Sequence, residues 1–142
     1  MVIGTQPAAF DGIEHEPNDT PARANPLPLG RAVRGQLGAR LGRDAGDRDV
    51  YAVDVPGPRD AVVSLHLEAL PNLAACVEIA AARGGAPTVG RFCGAPGVDV
   101  DVPRLALAPG RHFIAIEQDV SAGAPLQENV SDFYTLTVDR KP

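Results

Sequence analysis

The chain has 142 residues, 13 basic and 18 acidic side chains, and a formal net charge of −5. That length suits one domain with a real core, and the acidic balance leaves no electrostatic footprint for nucleic acid. Glycine and proline number 15 and 14, short of a disordered composition and in keeping with a turn-rich all-β fold; no apolar run is long enough to cross a bilayer.

The N-terminal Met1-Val2-Ile3-Gly4-Thr5-Gln6 has neither the basic start nor the apolar stretch of a signal peptide. Either the protein is cytosolic or it is a domain of a longer exported chain; the expectation is the second, with residues 1–13 as a linker from an upstream part and the domain proper over 14–140. Glu14-His15-Glu16-Pro17-Asn18-Asp19-Thr20 follows and gathers three carboxylates and one side-chain amide. An extended backbone puts residues i and i+2 on one side. Glu14, Glu16 and Asn18 can then point the same way, with Pro17 stiffening the segment. Oxygen ligands crowded like this suit a hard cation, Ca²⁺ above all. The competing reading is a solvated acidic linker.

About eight short strands are expected after it. Ala32 to Leu37 is the first and weakest. Val50 to Val55 is stronger: Tyr51, Val53 and Val55 share a face, Asp54 lies on the other, and Pro56-Gly57-Pro58 ends the run. Ala61 to Leu67 alternates, with Val63, Leu65 and Leu67 inward and Ser64 and His66 outward. Leu73 to Ala80 and Thr88 to Cys93 flank the Gly84-Gly85 turn. Val98 to Leu107 contains another strand, expected to start near Val100. After the Pro109-Gly110 turn comes Arg111 to Glu117, with Ile114 and Ile116 on one side. Phe133 to Val138 closes the set, with Tyr134, Leu136 and Val138 as its apolar face. Short strands at this spacing argue for an antiparallel β-sandwich or jelly roll. No segment has the pattern of a convincing helix.

Two further features need the strands for context. Asp44-Ala45-Gly46-Asp47-Arg48-Asp49 sits ahead of the Tyr51 strand and reads as a loop, with Asp47 and Asp49 spaced i, i+2. Alone it suits a surface turn. If the Glu14 segment lies against it, the converging carboxylates repel unless a cation neutralises them. Cys76 and Cys93 each fall in a strand-like segment. A bridge between them closes a loop of about 16 residues, worth about 3 kcal/mol on the chain-entropy account. Two cysteines in a turn-rich chain suit an oxidising compartment; the competing reading is two buried free thiols.

Glu16-Pro17-Asn18-Asp19-Thr20, Ala24-Asn25-Pro26-Leu27-Pro28-Leu29-Gly30 and Val33-Arg34-Gly35-Gln36-Leu37 resemble the opening of the bacterial pre-peptidase C-terminal domain. The family's Gly-Asp-x-Asp-x-Tyr/Phe landmark is matched by Gly46-Asp47-Arg48-Asp49-Val50-Tyr51. Its Pro-Gly turn before an aromatic strand is matched by Pro109-Gly110-Arg111-His112-Phe113, and its closing strand by Tyr134-Thr135-Leu136-Thr137-Val138. The resemblance runs from about Glu14 to Val138. It implies a jelly-roll-like sandwich appended to secreted bacterial proteins, often peptidases, and typically non-catalytic. Relatives such as the collagen-binding modules of bacterial collagenases bind Ca²⁺ through an acidic N-terminal segment and an aspartate-bearing loop. By position that implies Glu14, Glu16, Asn18, Asp19, Asp47 and Asp49 as metal ligands here. The chain departs from the family at Leu73-Ala74-Ala75-Cys76-Val77-Glu78, where an aspartate-rich strand is common, and the cysteine pair is a local addition.

Other functions find less support in the residues. No serine stands in a nucleophile elbow, so catalysis is not expected. His66 is expected on a solvated face, and His112 is expected to be partly covered. Glycan binding usually uses flat aromatic faces, whereas this chain has no tryptophan and places Tyr51 and Tyr134 on buried faces. Arg31, Arg34, Arg40, Arg43 and Arg48 form either a recognition surface or a counterweight to nearby acids. The expectation is a non-catalytic accessory domain of a secreted, periplasmic or surface protein. It would bind Ca²⁺ structurally and orient or tether a neighbouring domain or an extracellular macromolecule. Two alternatives stand beside it: a protein- or carbohydrate-binding module without metal, and a passive processing domain removed after export.

Overall fold

Alternation along the strands sorts the residues into layers. In Ala61–Glu68, Ala61, Val63, Leu65 and Leu67 are buried while His66 and Glu68 are exposed. In Tyr134–Arg140, Tyr134, Leu136 and Val138 are buried and Thr135 and Thr137 half-buried. A period of two puts every second side chain on one face. Each fully buried Val or Leu contributes about 1.5–3 kcal/mol against leaving it in water. Two faces of this kind, laid together, make a sandwich.

The computed structural model describes residues 12–15, 18, 20–35, 48–68, 74–81, 88–95, 97–118 and 133–141. Its strands are β1 (Asn25–Pro26), β2 (Ala32–Gly35), β3 (Arg48–Val55), β4 (Ala61–Glu68), β5 (Ala75–Ala81), β6 (Thr88–Cys93), β7 (Val100–Leu107), β8 (Gly110–Gln118) and β9 (Tyr134–Arg140). A 3₁₀ turn, Pro21–Arg23, precedes them, with its proline in the first position, where a missing N–H costs nothing. One sheet runs β1-β3-β8-β5-β6 and the other β2-β9-β4-β7. The crossovers between the sheets make the architecture jelly-roll-like. Among the named strands all pairings are antiparallel except β1 with β3. Between the layers sit Tyr51, Val53, Val63, Leu65, Leu67, Val77, Ile79, Ile114, Ile116, Tyr134 and Leu136.

Several boundaries differ from expectation. β3 begins at Arg48, so Asp49 lies inside a strand and not in the loop before it; the carboxylate has a buried partner described below. β1 adds a ninth strand of only two residues, one of them proline, held by its parallel pairing with β3. β5 starts at Ala75, two residues later than Leu73. β8 starts at Gly110, whose φ of 118° favours glycine. β9 continues to Arg140. His112 is more covered than expected, at 4% exposure, because it lies on the inward face of β8 with Ile114.

The N-terminal segment fastens itself to both sheets. Ile13 forms a parallel bridge with Arg34 of β2. The Arg34 N–H donates to the Gly12 carbonyl and the Glu14 N–H to the Arg34 carbonyl, both at 2.9 Å. Further along, β1 pairs with β3, and the Leu27 N–H donates to the Ala52 carbonyl at 2.9 Å. The strap thus begins on the edge of one layer and ends on the edge of the other.

Candidate functional site

Where the strap crosses between the sheets it builds a polar cluster. The Asn25 carboxamide pairs with the backbone of His15: its Oδ1 accepts the His15 N–H at 2.7 Å and its Nδ2 donates to the His15 carbonyl at 3.0 Å. Asn18 Nδ2 donates to Glu14 Oε2 at 3.0 Å and to Asn25 Oδ1 at 3.2 Å. The Asn18 carbonyl accepts the Val50 N–H at 2.7 Å, tying the cluster to β3. Both amide hydrogens of Asn18 are therefore used on one side. Its Oδ1 faces away from them, buried, with no donor among the described residues. Asn18 is only 1% exposed, and an unsatisfied buried acceptor costs about 1–3 kcal/mol.

Asp49 stands on the inward face of β3, fully buried. Its Oδ2 accepts the Tyr134 hydroxyl at 2.6 Å. The hydroxyl oxygens of Tyr134 and Tyr51 are also 2.6 Å apart. Tyr134 has one proton and gives it to Asp49, so Tyr51 is the donor to Tyr134. Burial pushes the Tyr134 phenol well above its usual range, and the electrostatic influences of Tyr51, Asp49 and Glu14 push the same way. Tyr134 therefore stays protonated and keeps donating. Gly35 makes room for this chain, since an added Cβ would collide with both phenol oxygens.

Of the six expected ligand residues, Asn18 bonds Glu14 and is tied through its carbonyl to Val50, the residue after Asp49. Glu16, Asp19 and Asp47 lie outside the described residues, as does Asp44. Among the described residues no group of three or more His, Cys, Asp and Glu side chains is arranged to hold a metal ion. Asn18 and Asp49 offer oxygen donors, the type a hard cation takes. Sequence reasoning missed Asn25, Tyr51, Tyr134 and Gly35 as members of the cluster. Asn25 stands in the quoted Asn25-Pro26 motif, but no spacing rule shows that its amide would copy a strand partner for His15.

The outer face of the five-stranded sheet carries a crevice of about 250 Å³. Pro21, Val50, Ala80, Phe113 and Ala115 line it, with Arg48 and Glu78 as its charged members. Val50 and Ala115 are buried even though they point away from the core. Beside it, Arg91 donates to Glu117 at 2.7 Å and to Glu78 at 3.4 Å, and Arg48 lies 3.7 Å from Glu117. At the far end Arg111 holds Asp54 through two bonds of 2.9 and 3.2 Å, which lowers the Asp54 carboxyl against the opposing effect of burial.

The other expected groups fall as follows. Cys76 and Cys93 form a disulfide between β5 and β6. His66 is exposed on its strand, but it lies 3.2 Å from Asp99 and 3.8 Å from Asp101. The arginine set does not make one surface. Arg34, on β2, stacks over Phe133 at 4.6 Å, whereas Arg48 stands on the other sheet; Arg40 and Arg43 are outside the described residues.

No family model and no curated protein matches the chain. Among solved structures, it is similar to the pre-peptidase C-terminal domain of a collagenase from Bacillus anthracis. The TM-score is 0.61 at 16% identity, covering 89% of this chain and 100% of that one. At that identity the likeness establishes a shared fold. A carbohydrate-binding module of the CBM36 type, in complex with calcium and xylotriose, overlaps with a TM-score of 0.38 at 15% identity, over 80% of this chain and 92% of that one.

Proposed function

We propose that this domain is a non-catalytic accessory binding module of an exported protein, which holds a neighbouring domain or an extracellular protein or polysaccharide. The observation that carries the reading is the crevice on the outer face. It has an apolar floor of Val50, Phe113 and Ala115 and a charged side chain of each sign in its lining, the mixture that ligand-binding clefts use for affinity and orientation. The shared fold with a domain appended to a collagenase supports an accessory role, and the disulfide suits an oxidising compartment. The test is binding to immobilised matrix proteins and polysaccharides, comparing the parent with Ala80→Arg, which fills the crevice. Saturable binding that Ala80→Arg loses at unchanged thermal stability supports the reading. No binding, or binding indifferent to the substitution, overturns it.

Buried Asn18 Oδ1, which has no donor among the described residues, favours a second reading, in which Glu14, Glu16, Asn18, Asp19, Asp47 and Asp49 hold Ca²⁺. The ion would neutralise the carboxylates and fix the strap, and with it the angle at which an upstream neighbour emerges. Thermal unfolding with calcium and with chelator tests this, repeated for Glu16→Ala and Asp47→Ala. Calcium is expected to raise the midpoint of the parent, by about 2.7 kcal/mol of stability at a hundredfold excess over the dissociation constant. Either substitution is expected to remove the gain. An unchanged midpoint in the parent eliminates the metal.

A further inference from the structure

Cys76 and Cys93 stand directly opposite each other across the β5–β6 pair, with Cα atoms 4.1 Å apart. That closeness marks the non-hydrogen-bonded kind of antiparallel pair. Alternation places the bridge on the outer face of the sheet: Val77 and Ile79 belong to the core between the layers, and Cys76, though fully buried, does not. The two ends of the bridge differ in access. Cys76 is sealed at 0% exposure, whereas Cys93 is exposed. The register sets charged neighbours beside Cys76. Glu117 of β8 is its neighbour on one side, and Arg91 of β6 lies opposite Glu78. The Arg91–Glu117 ion pair of 2.7 Å therefore reaches over β5 between Cys76 and Glu78.

We propose that Cys93 is a thiol-exchange site and that the disulfide is a one-sided latch on the outer strand β6. A thiolate from a small exogenous thiol attacks Cys93 Sγ. A bond forms between the two sulfurs, the Cys76–Cys93 bond breaks, and its electron pair leaves on Cys76 Sγ, which takes a proton from water. With a monothiol the adduct is reversible, because Cys76 remains opposite and can attack back. With a dithiol the reagent's second thiolate displaces Cys93, so the reagent is oxidised to a disulfide and the protein is reduced by two electrons. Access decides the site. Among the described residues β6 pairs only with β5, and the bridge lies outside the core, so the latch acts on β6. Opening it loosens β6 and leaves the layers packed.

The folded full chain is incubated with reduced glutathione, acid-quenched and mapped by peptide mass spectrometry. The glutathione adduct is expected on Cys93. In parallel, Cys76→Ala and Cys93→Ala are titrated with an aromatic disulfide reagent. The exposed thiol left in the first is expected to react about tenfold faster or more than the sealed one left in the second. Amide exchange in dithiothreitol is expected to lose protection in β6 and keep it in β3 and β8. An adduct on Cys76, no adduct at all, equal rates in the two variants, or loss of protection across both sheets overturns the proposal. Should either variant fail to fold, adduct mapping on the parent decides.

Discussion

Tyr134 reaches from one sheet to the other to hold Asp49. The phenol belongs to β9 in the four-stranded sheet, the carboxylate to β3 in the five-stranded one, and 2.6 Å separates their oxygens. Apolar packing presses the layers together without direction, whereas this bond fixes how they register. Tyr134→Phe removes a donor from a buried carboxylate and is expected to destabilise by about 1–3 kcal/mol. Tyr51→Phe removes the link to Tyr134 and leaves the Tyr134–Asp49 bond in place, and is expected to cost about 1 kcal/mol. Urea denaturation of both variants checks the order; equal losses, or a larger one for Tyr51→Phe, contradict it.

The same phenol sets an alkaline limit. Its proton is held more tightly in the folded chain than in the unfolded one, where the ordinary value is 10.0. A group raised in the folded state contributes stability that is complete below the unfolded value and fades as pH climbs toward the folded one. The thermal midpoint is therefore expected to fall above about pH 10. Tyr134→Phe should show a shallower fall. Parallel curves for parent and variant would show that other groups govern the alkaline limb.

Asn25 is the joint of the strap. Replacing it by aspartate keeps the acceptor for the His15 and Asn18 N–H groups but sets a carboxylate oxygen against the His15 carbonyl. A loss of about 1–3 kcal/mol is expected. The local readout is the Val50 amide, which donates to Asn18: its hydrogen exchange should quicken in Asn25→Asp while amides of β4 and β8 stay protected. A Val50 amide that remains slow would mean the strap holds without this joint.

Gly35 closes the tyrosine pair from the side. Its backbone needs no unusual angle, so the demand is for space alone. Gly35→Ala pushes a methyl group into two phenol oxygens that cannot both retreat, and overpacking of this kind costs about 1–3 kcal/mol. In the background of Tyr134→Phe, which removes the nearest of the colliding atoms but keeps the ring carbon behind it, the penalty should shrink in part. A double-mutant cycle measures it, and strict additivity would rule out the steric coupling.

The strands were legible because burial leaves a period of two in the sequence. β6 was found with its bounds unchanged, and in β4 the alternation of Val63, Leu65 and Leu67 against His66 placed each face correctly. β1 left no such trace, since two residues carry no period and Pro26 argues against a strand; its partner, β3, is remote in sequence. Asp49 reads as part of the acidic loop Asp44 to Asp49, although it shares its parity with Tyr51, Val53 and Val55. What sequence could not supply was the Tyr134 hydroxyl that makes a buried carboxylate tolerable there. The pairing of Arg91 over β5 and of His66 with Asp99 likewise depends on register, which no single strand contains.

The strap that starts on β2 and ends on β3 has a mechanical meaning. Tension entering at Gly12 meets backbone bonds to the four-stranded layer first, then the Asn25 joint, then the pairing with β3 in the five-stranded layer. Neither layer bears a pull alone, and neither can be peeled away without first dragging on its companion.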